Sequence, residues 1–164
     1  MHCWSFDAEG VPRLCVGPHW LPFLCLATVM LGFGIGFMST LAAEVSVLNF
    51  VVGALLFVFL YYNYACAALK NPGIMLAGYA ELPDSGSSHL DCHRCKIPTN
   101  ELISHCYDCD VCIYKLDHHC PWTSKCIGQG NISNFYGFLA GLAAVIIYTV
   151  VTVALHFHQE INKN

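Results

Sequence analysis

Uncharged apolar residues run from Leu21 to Ala43, from Val47 to Leu69 and from Phe135 to Phe157, and polar residues crowd between the second and third runs. Each run is 23 residues long. At about 1.5 Å per residue, a helix of that length crosses a hydrocarbon core of about 30 Å. The pattern predicts an α-helical integral membrane protein with three transmembrane helices. Cleavage of the first run as a signal peptide is the alternative. That run is long for such a segment, Arg13 is the only basic residue ahead of it, and a second span follows at once. Glu44-Val45-Ser46 forms a short turn that makes a helical hairpin of spans 21–43 and 47–69. Tyr61, Tyr62 and Tyr64, near Lys70, suit the membrane interface.

Asn71-Pro72-Gly73 ends the second helix, since proline cannot continue it and glycine allows the turn that follows. Residues 70–134 then form a polar module. Asp84-Ser85-Gly86-Ser87-Ser88 reads as a linker at its entry. Its middle lacks both helix and strand periodicity, so a mostly irregular fold held by metal is expected, with a core at 92–126. Five of the seven basic residues lie between spans two and three. The positive-inside rule therefore puts this module, and the segment 1–20, in the cytosol, with the tail 158–164 across the bilayer. Gly32-x3-Gly36 and Gly137-x3-Gly141 let helices approach closely, more simply within the chain than in a dimer. Asn131-Ile132-Ser133 matches a glycosylation sequon, which on the cytosolic side is a chance match.

Composition narrows the class. The chain is 56% hydrophobic and 11% charged, with a formal charge of −4, so nothing recommends a nucleic-acid partner. Eleven cysteines would suit a secreted disulfide scaffold, but the apolar runs and the cysteine spacing favour a reduced compartment.

That spacing is the chemistry-bearing pattern. Cys92-x2-Cys95 and Cys106-x2-Cys109 are two tight turns, each able to give zinc two thiolates. His105, Cys112, His119, Cys120 and Cys126 are candidates for the remaining positions. Two sites of three cysteines and one histidine would leave one cysteine and His118 over. Spacing leaves open which cysteine that is.

The segment resembles the cysteine-rich domain of DHHC-type protein S-acyltransferases. The resemblance rests on Asp117-His118-His119-Cys120-Pro121-Trp122, then Cys126-Ile127-Gly128-x2-Asn131, and on the ligand spacing from Cys92 onward. It implies two structural Zn2+ ions, one held by Cys92, Cys95, His105 and Cys112 and the other by Cys106, Cys109, His119 and Cys126. It further implies Cys120 as nucleophile, His118 as its base and Asp117 orienting His118. Cys120 would take a long acyl chain from acyl-CoA (palmitoyl-CoA) and pass it to cysteines of membrane-associated proteins. An endomembrane location such as the Golgi or endoplasmic reticulum follows from the same resemblance. Fifteen residues separate Cys120 from Phe135, so the thiol is expected near the bilayer surface, where Trp122 is suited to the interface.

Two departures stand out. Family members carry Lys-Pro-x-Arg where this chain has Thr99-Asn100-Glu101-Leu102, which leaves Lys96, Lys115 and Lys125 to meet coenzyme A phosphates. The family continues into a fourth span and a Thr-Thr-x-Glu motif that nothing here matches, so a short or C-terminally truncated member is expected. A zinc-stabilised adaptor or regulator of a full-length relative is the alternative function. A zinc hydrolase ranks last, because it needs an open metal position. His89, His93, His156 and His158 are expected at surfaces.

Overall fold

The computed structural model describes residues 1–8, 10–76 and 90–163. The linker expected at 84–88, and His89, lie outside the described residues. Three helices, α1 (Trp20–Val45), α2 (Val47–Leu69) and α3 (Ile132–Lys163), are each long and apolar enough to cross a membrane. α2 coincides with its apolar run, whereas α1 and α3 outrun theirs because backbone hydrogen bonding continues into flanking residues. α1 continues through Glu44 and Val45, with a wide π-type turn at Met38–Ala42. The expected three-residue connection shrinks to Ser46, whose extended backbone breaks the helix and whose hydroxyl accepts from Asn49 N at 3.1 Å.

α2 and α3 form the spine. Leu60, Tyr64, Phe138, Val145 and Tyr148 are buried in one cluster with Phe37 and Phe57. A Cβ on Gly141 would press on Phe59 and Leu60, so the second small-residue pair does bring α3 against α2. Gly32 and Gly36 face open space, which removes them from any packing role within the chain. A polar knot ties the far ends, where Tyr148 Oη donates to Asn49 O at 2.9 Å and Thr152 Oγ1 donates to Asn49 Oδ1 at 3.2 Å. His156, expected at a surface, lies 3.6 Å from the Glu44 carboxylate beside this knot.

The polar module contains more regular structure than the lack of periodicity suggests. Antiparallel pairs β3 (Leu90–Asp91) with β4 (Pro98–Thr99), β5 (Ile103–Cys106) with β6 (Val111–Tyr114), and β7 (His118–Cys120) with β8 (Lys125–Ile127) follow one another. Strands of two to four residues are too short to write an alternating pattern into the sequence. Asn131 ties this module to the helices. Its amide donates to Ala67 O at 2.8 Å and Cys126 O at 3.1 Å, and its oxygen accepts from Gly128 N at 2.9 Å. The sequon asparagine is therefore fully buried and structural.

The first twenty residues hold a further hairpin, β1 (His2–Phe6) with β2 (Pro12–Val16). Cys3 stands opposite Cys15 and is disulfide-bonded to it, which departs from the reading of the cysteines as wholly reduced. The pair is 12 residues apart, and only the fold-back brings the thiols together. This hairpin docks on the module and on the end of α2. Asn71 Nδ2 donates to Pro12 O at 2.7 Å, and Lys125 Nζ donates to Cys15 O at 2.6 Å. Gly17 lies so close that a Cβ would collide with Ser124 O.

Candidate functional site

Each of the last two main hairpins sets a histidine opposite a cysteine. His105 pairs with Cys112 across β5 and β6, and His119 pairs with Cys126 across β7 and β8. A Cys-x2-Cys turn completes each set, giving Cys92, Cys95, His105 and Cys112 in one cluster and Cys106, Cys109, His119 and Cys126 in the other. Within each cluster the donor atoms lie within 4.8 Å of one another. The turn that closes β5 and β6 is the Cys106–Cys109 element, so the clusters interleave: one hairpin's tip is the next cluster's base.

The donor geometry fits zinc. His105 Nδ1 lies 3.6, 3.3 and 3.7 Å from the sulfurs of Cys92, Cys95 and Cys112. His119 Nδ1 lies 3.5, 3.4 and 3.8 Å from those of Cys106, Cys109 and Cys126. Around a tetrahedral zinc with Zn–S of about 2.3 Å and Zn–N of about 2.0 Å, neighbouring donors stand roughly 3.5 Å apart. Each set has four donors, so neither offers the open position a zinc hydrolase requires.

Crowding sets the thiol chemistry in the absence of a cation. Burial, with hydrogen bonds to Cys92 and Cys95, pushes the Cys112 thiol up. A hydrogen bond with Cys109, followed by burial, pushes Cys126 up, and the same bond lowers Cys109 to about 6. Neighbouring thiolates cannot all ionise without a cation between them.

Strand alternation separates the metal-facing side chain from its neighbours. On β7, His118 and Cys120 share one face and His119 turns to the other, toward the second cluster. His118 Nδ1 lies 3.0 Å from Asp117 Oδ2, and its ring packs edge-on against Phe135 with centroids 5.1 Å apart. Cys120 is buried and lines an apolar cavity of about 320 Å³ together with Leu26, Trp122, Thr123, Phe135, Phe138 and Leu139. The cavity thus joins α1, the turn after β7 and α3. Tyr64 Oη donates to Trp122 O at 2.7 Å and fixes that turn on α2. Trp122 itself is mostly exposed, at the edge of the apolar surface.

Lys125, expected as a cation open to phosphate, is fully buried. Burial lowers its ammonium group to about 7, while the Cys109 and Cys126 thiolates favour its charge. Its Nζ donates a hydrogen bond to the Cys15 carbonyl and is buried away from any ligand in solution. Lys96 and Lys115 remain exposed.

The ligand pairing had a sequence signal that motif spacing alone overlooks. Cys92, Cys95, His105 and Cys112 each recur 14 positions later as Cys106, Cys109, His119 and Cys126, a repeat of Cys-x2-Cys-x9-His-x6-Cys. His19 and the hairpin before it have no comparable signal.

Three helices long and apolar enough to cross a membrane, two four-donor cysteine and histidine clusters, and a buried thiol between a cluster and the helices define the class. Residues 87–164 match the model of the DHHC palmitoyltransferase family. It is 37% identical over 98 residues to Palmitoyltransferase ZDHHC17 of Danio rerio, covering 54% of this chain and 16% of that protein. It is 43% identical over 68 residues to Palmitoyltransferase ZDHHC9 of Bos taurus, covering 39% of this chain and 19% of that protein. With Palmitoyltransferase ERF2 of Candida glabrata it shares 36% identity over 72 residues, 44% of this chain and 22% of the relative. The chain thus spans less than a quarter of the length of these relatives.

Proposed function

We propose that the chain forms an acyl thioester on Cys120 from long-chain acyl-CoA and transfers the acyl group to cysteines of membrane-associated proteins. The carrying observation is the position of Cys120 in the wall of an apolar cavity formed by two membrane helices. A fatty chain lying in that cavity brings its thioester carbonyl to the sulfur.

His118 takes the Cys120 proton, with Asp117 holding the other side of the imidazole. The Cys120 sulfur attacks the thioester carbonyl carbon. The carbon–sulfur bond to coenzyme A breaks, and the leaving thiolate recovers a proton from His118. A substrate thiol then loses its proton to His118 and attacks the carbonyl carbon of the acyl group on Cys120. The carbon–sulfur bond to Cys120 breaks, the acyl group stays on the substrate sulfur, and the Cys120 thiolate recovers the proton from His118. Cys92, Cys95, His105 and Cys112 would hold one zinc ion and Cys106, Cys109, His119 and Cys126 a second, each of which would supply a structural cross-link.

The cytosolic placement of the module is supported by the basic residues between α2 and α3. Contact with segment 1–20 agrees with both segments lying on one side of the α1–α2 hairpin. We place the protein in an endomembrane such as the Golgi or endoplasmic reticulum.

Incubation with a clickable palmitoyl-CoA analogue tests the reading. A hydroxylamine-sensitive label that disappears in Cys120→Ser supports it. Absence of any such label on a zinc-loaded chain would leave the adaptor alternative.

A further inference from the structure

His119 presents Nδ1 to three sulfurs and Nε2 to His19 Nδ1, 2.9 Å away. The two rings meet edge to face, with centroids 4.9 Å apart. A histidine that binds a metal through Nδ1 carries its proton on Nε2, which makes His119 the donor and His19 the acceptor in this contact. Outer partners of this kind fix the tautomer and ring orientation of a metal ligand.

The two clusters differ here. Behind His105, Asp110 Oδ1 lies 3.5 Å from Nε2 and makes no hydrogen bond to it. His105 Nε2 is the one buried side-chain polar atom without a hydrogen bond among the described residues. Behind His119, the partner comes from the far end of the sequence. His19 is the residue that precedes α1, and its own backbone N donates to Ser124 O at 3.3 Å. Gly17 N donates to Ser124 Oγ at 3.2 Å, and Lys125 Nζ reaches the Cys15 carbonyl. Segment 15–19 is therefore sewn to the β7–β8 turn on both sides of the histidine contact.

We propose that His19 is a positioning residue for the second metal cluster, locking His119 in its ligating tautomer through the docked amino-terminal hairpin. The inference rests on the metal reading of the proposed function. It also assigns a role to residues 1–19, which lie outside the segment that matches the family.

Cadmium-113 NMR on the full chain in detergent, loaded with cadmium and titrated with a chelator, provides the test. The wild type should give one resonance per cluster. In His19→Ala one resonance should shift and be lost at about 10- to 100-fold lower chelator concentration, with the other unchanged. His19→Asn should restore both, since its Oδ1 can accept where Nδ1 did. Two unmoved resonances in His19→Ala, equal weakening of both, or failure of His19→Asn to restore the wild-type pattern would overturn the proposal. A wild-type chain that takes up no cadmium would remove the metal reading itself, an outcome distinct from any of these.

Discussion

His119 stands directly across the β7–β8 ladder from Cys126, and the residue after His119 is Cys120. A metal ion held by both His119 and Cys126 would therefore pin the strand that carries the proposed nucleophile. Among the described residues the module consists of three two-stranded hairpins, units too small to hold their shape alone without a cross-link.

Replacement of a ligand of one cluster that also closes the hairpin carrying the other should accordingly cost more than one metal ion. Cys106→Ser lies both in the second cluster and at the tip of the hairpin that carries the first. Structural zinc in small domains is worth roughly 10–16 kcal/mol. We expect this variant to unfold the module and release zinc, with loss of Cys120 acylation. Zinc retained at two ions per chain, measured by atomic emission, would contradict the ligand assignment.

Zinc binding should release protons, because Cys112 and Cys126 have thiol pKa values raised in the metal-free fold. A raised thiol is protonated at neutral pH and must lose its proton to ligate. Falling pH therefore opposes binding and rising pH favours it, by about tenfold per pH unit for each proton released. Zinc titration in weakly buffered indicator should show acidification. Affinity that stays flat between about pH 6 and 8 would conflict with thiolate ligation.

His118→Ala should lower the rate of Cys120 acylation by about 100- to 10,000-fold, the usual range for loss of a general base. Because His118 points away from the metal-facing side of β7, zinc content should stay at the wild-type level. Quench-flow labelling with an acyl-CoA analogue, paired with metal analysis, separates the two effects. Loss of zinc in this variant would show that strand alternation has been misassigned.

Asn131→Ala should destabilise the fold by about 3 kcal/mol, from three hydrogen bonds at about 1 kcal/mol each in a fully buried site. Thermal unfolding of the variant in nanodiscs measures it. A change under about 0.5 kcal/mol, the level of a surface substitution, would contradict the structural role.

The sequence carried the helices plainly, since 23 uncharged apolar residues leave little choice of environment. It carried the ligand types too, and the 14-residue repeat holds their pairing. What stayed hidden depends on contacts between distant segments. Lys125 reads as a solvent cation until Cys15, 110 residues earlier, is found against it. Asn131 reads as a sequon until its three backbone partners are seen. The β1–β2 hairpin has irregular register, and its cysteines become neighbours only after it closes. His19 meets His119 across 100 residues, a separation that no local pattern spans.

Tandem mass spectrometry of the chain after incubation with palmitoyl-CoA locates the acyl group that the spare thiol beside the second cluster is proposed to carry. A hydroxylamine-labile acyl thioester is expected on Cys120, absent from a Cys120→Ser variant that still holds two zinc ions. Acylation confined to Cys25 or Cys66, or none on a zinc-loaded chain, would contradict that proposal.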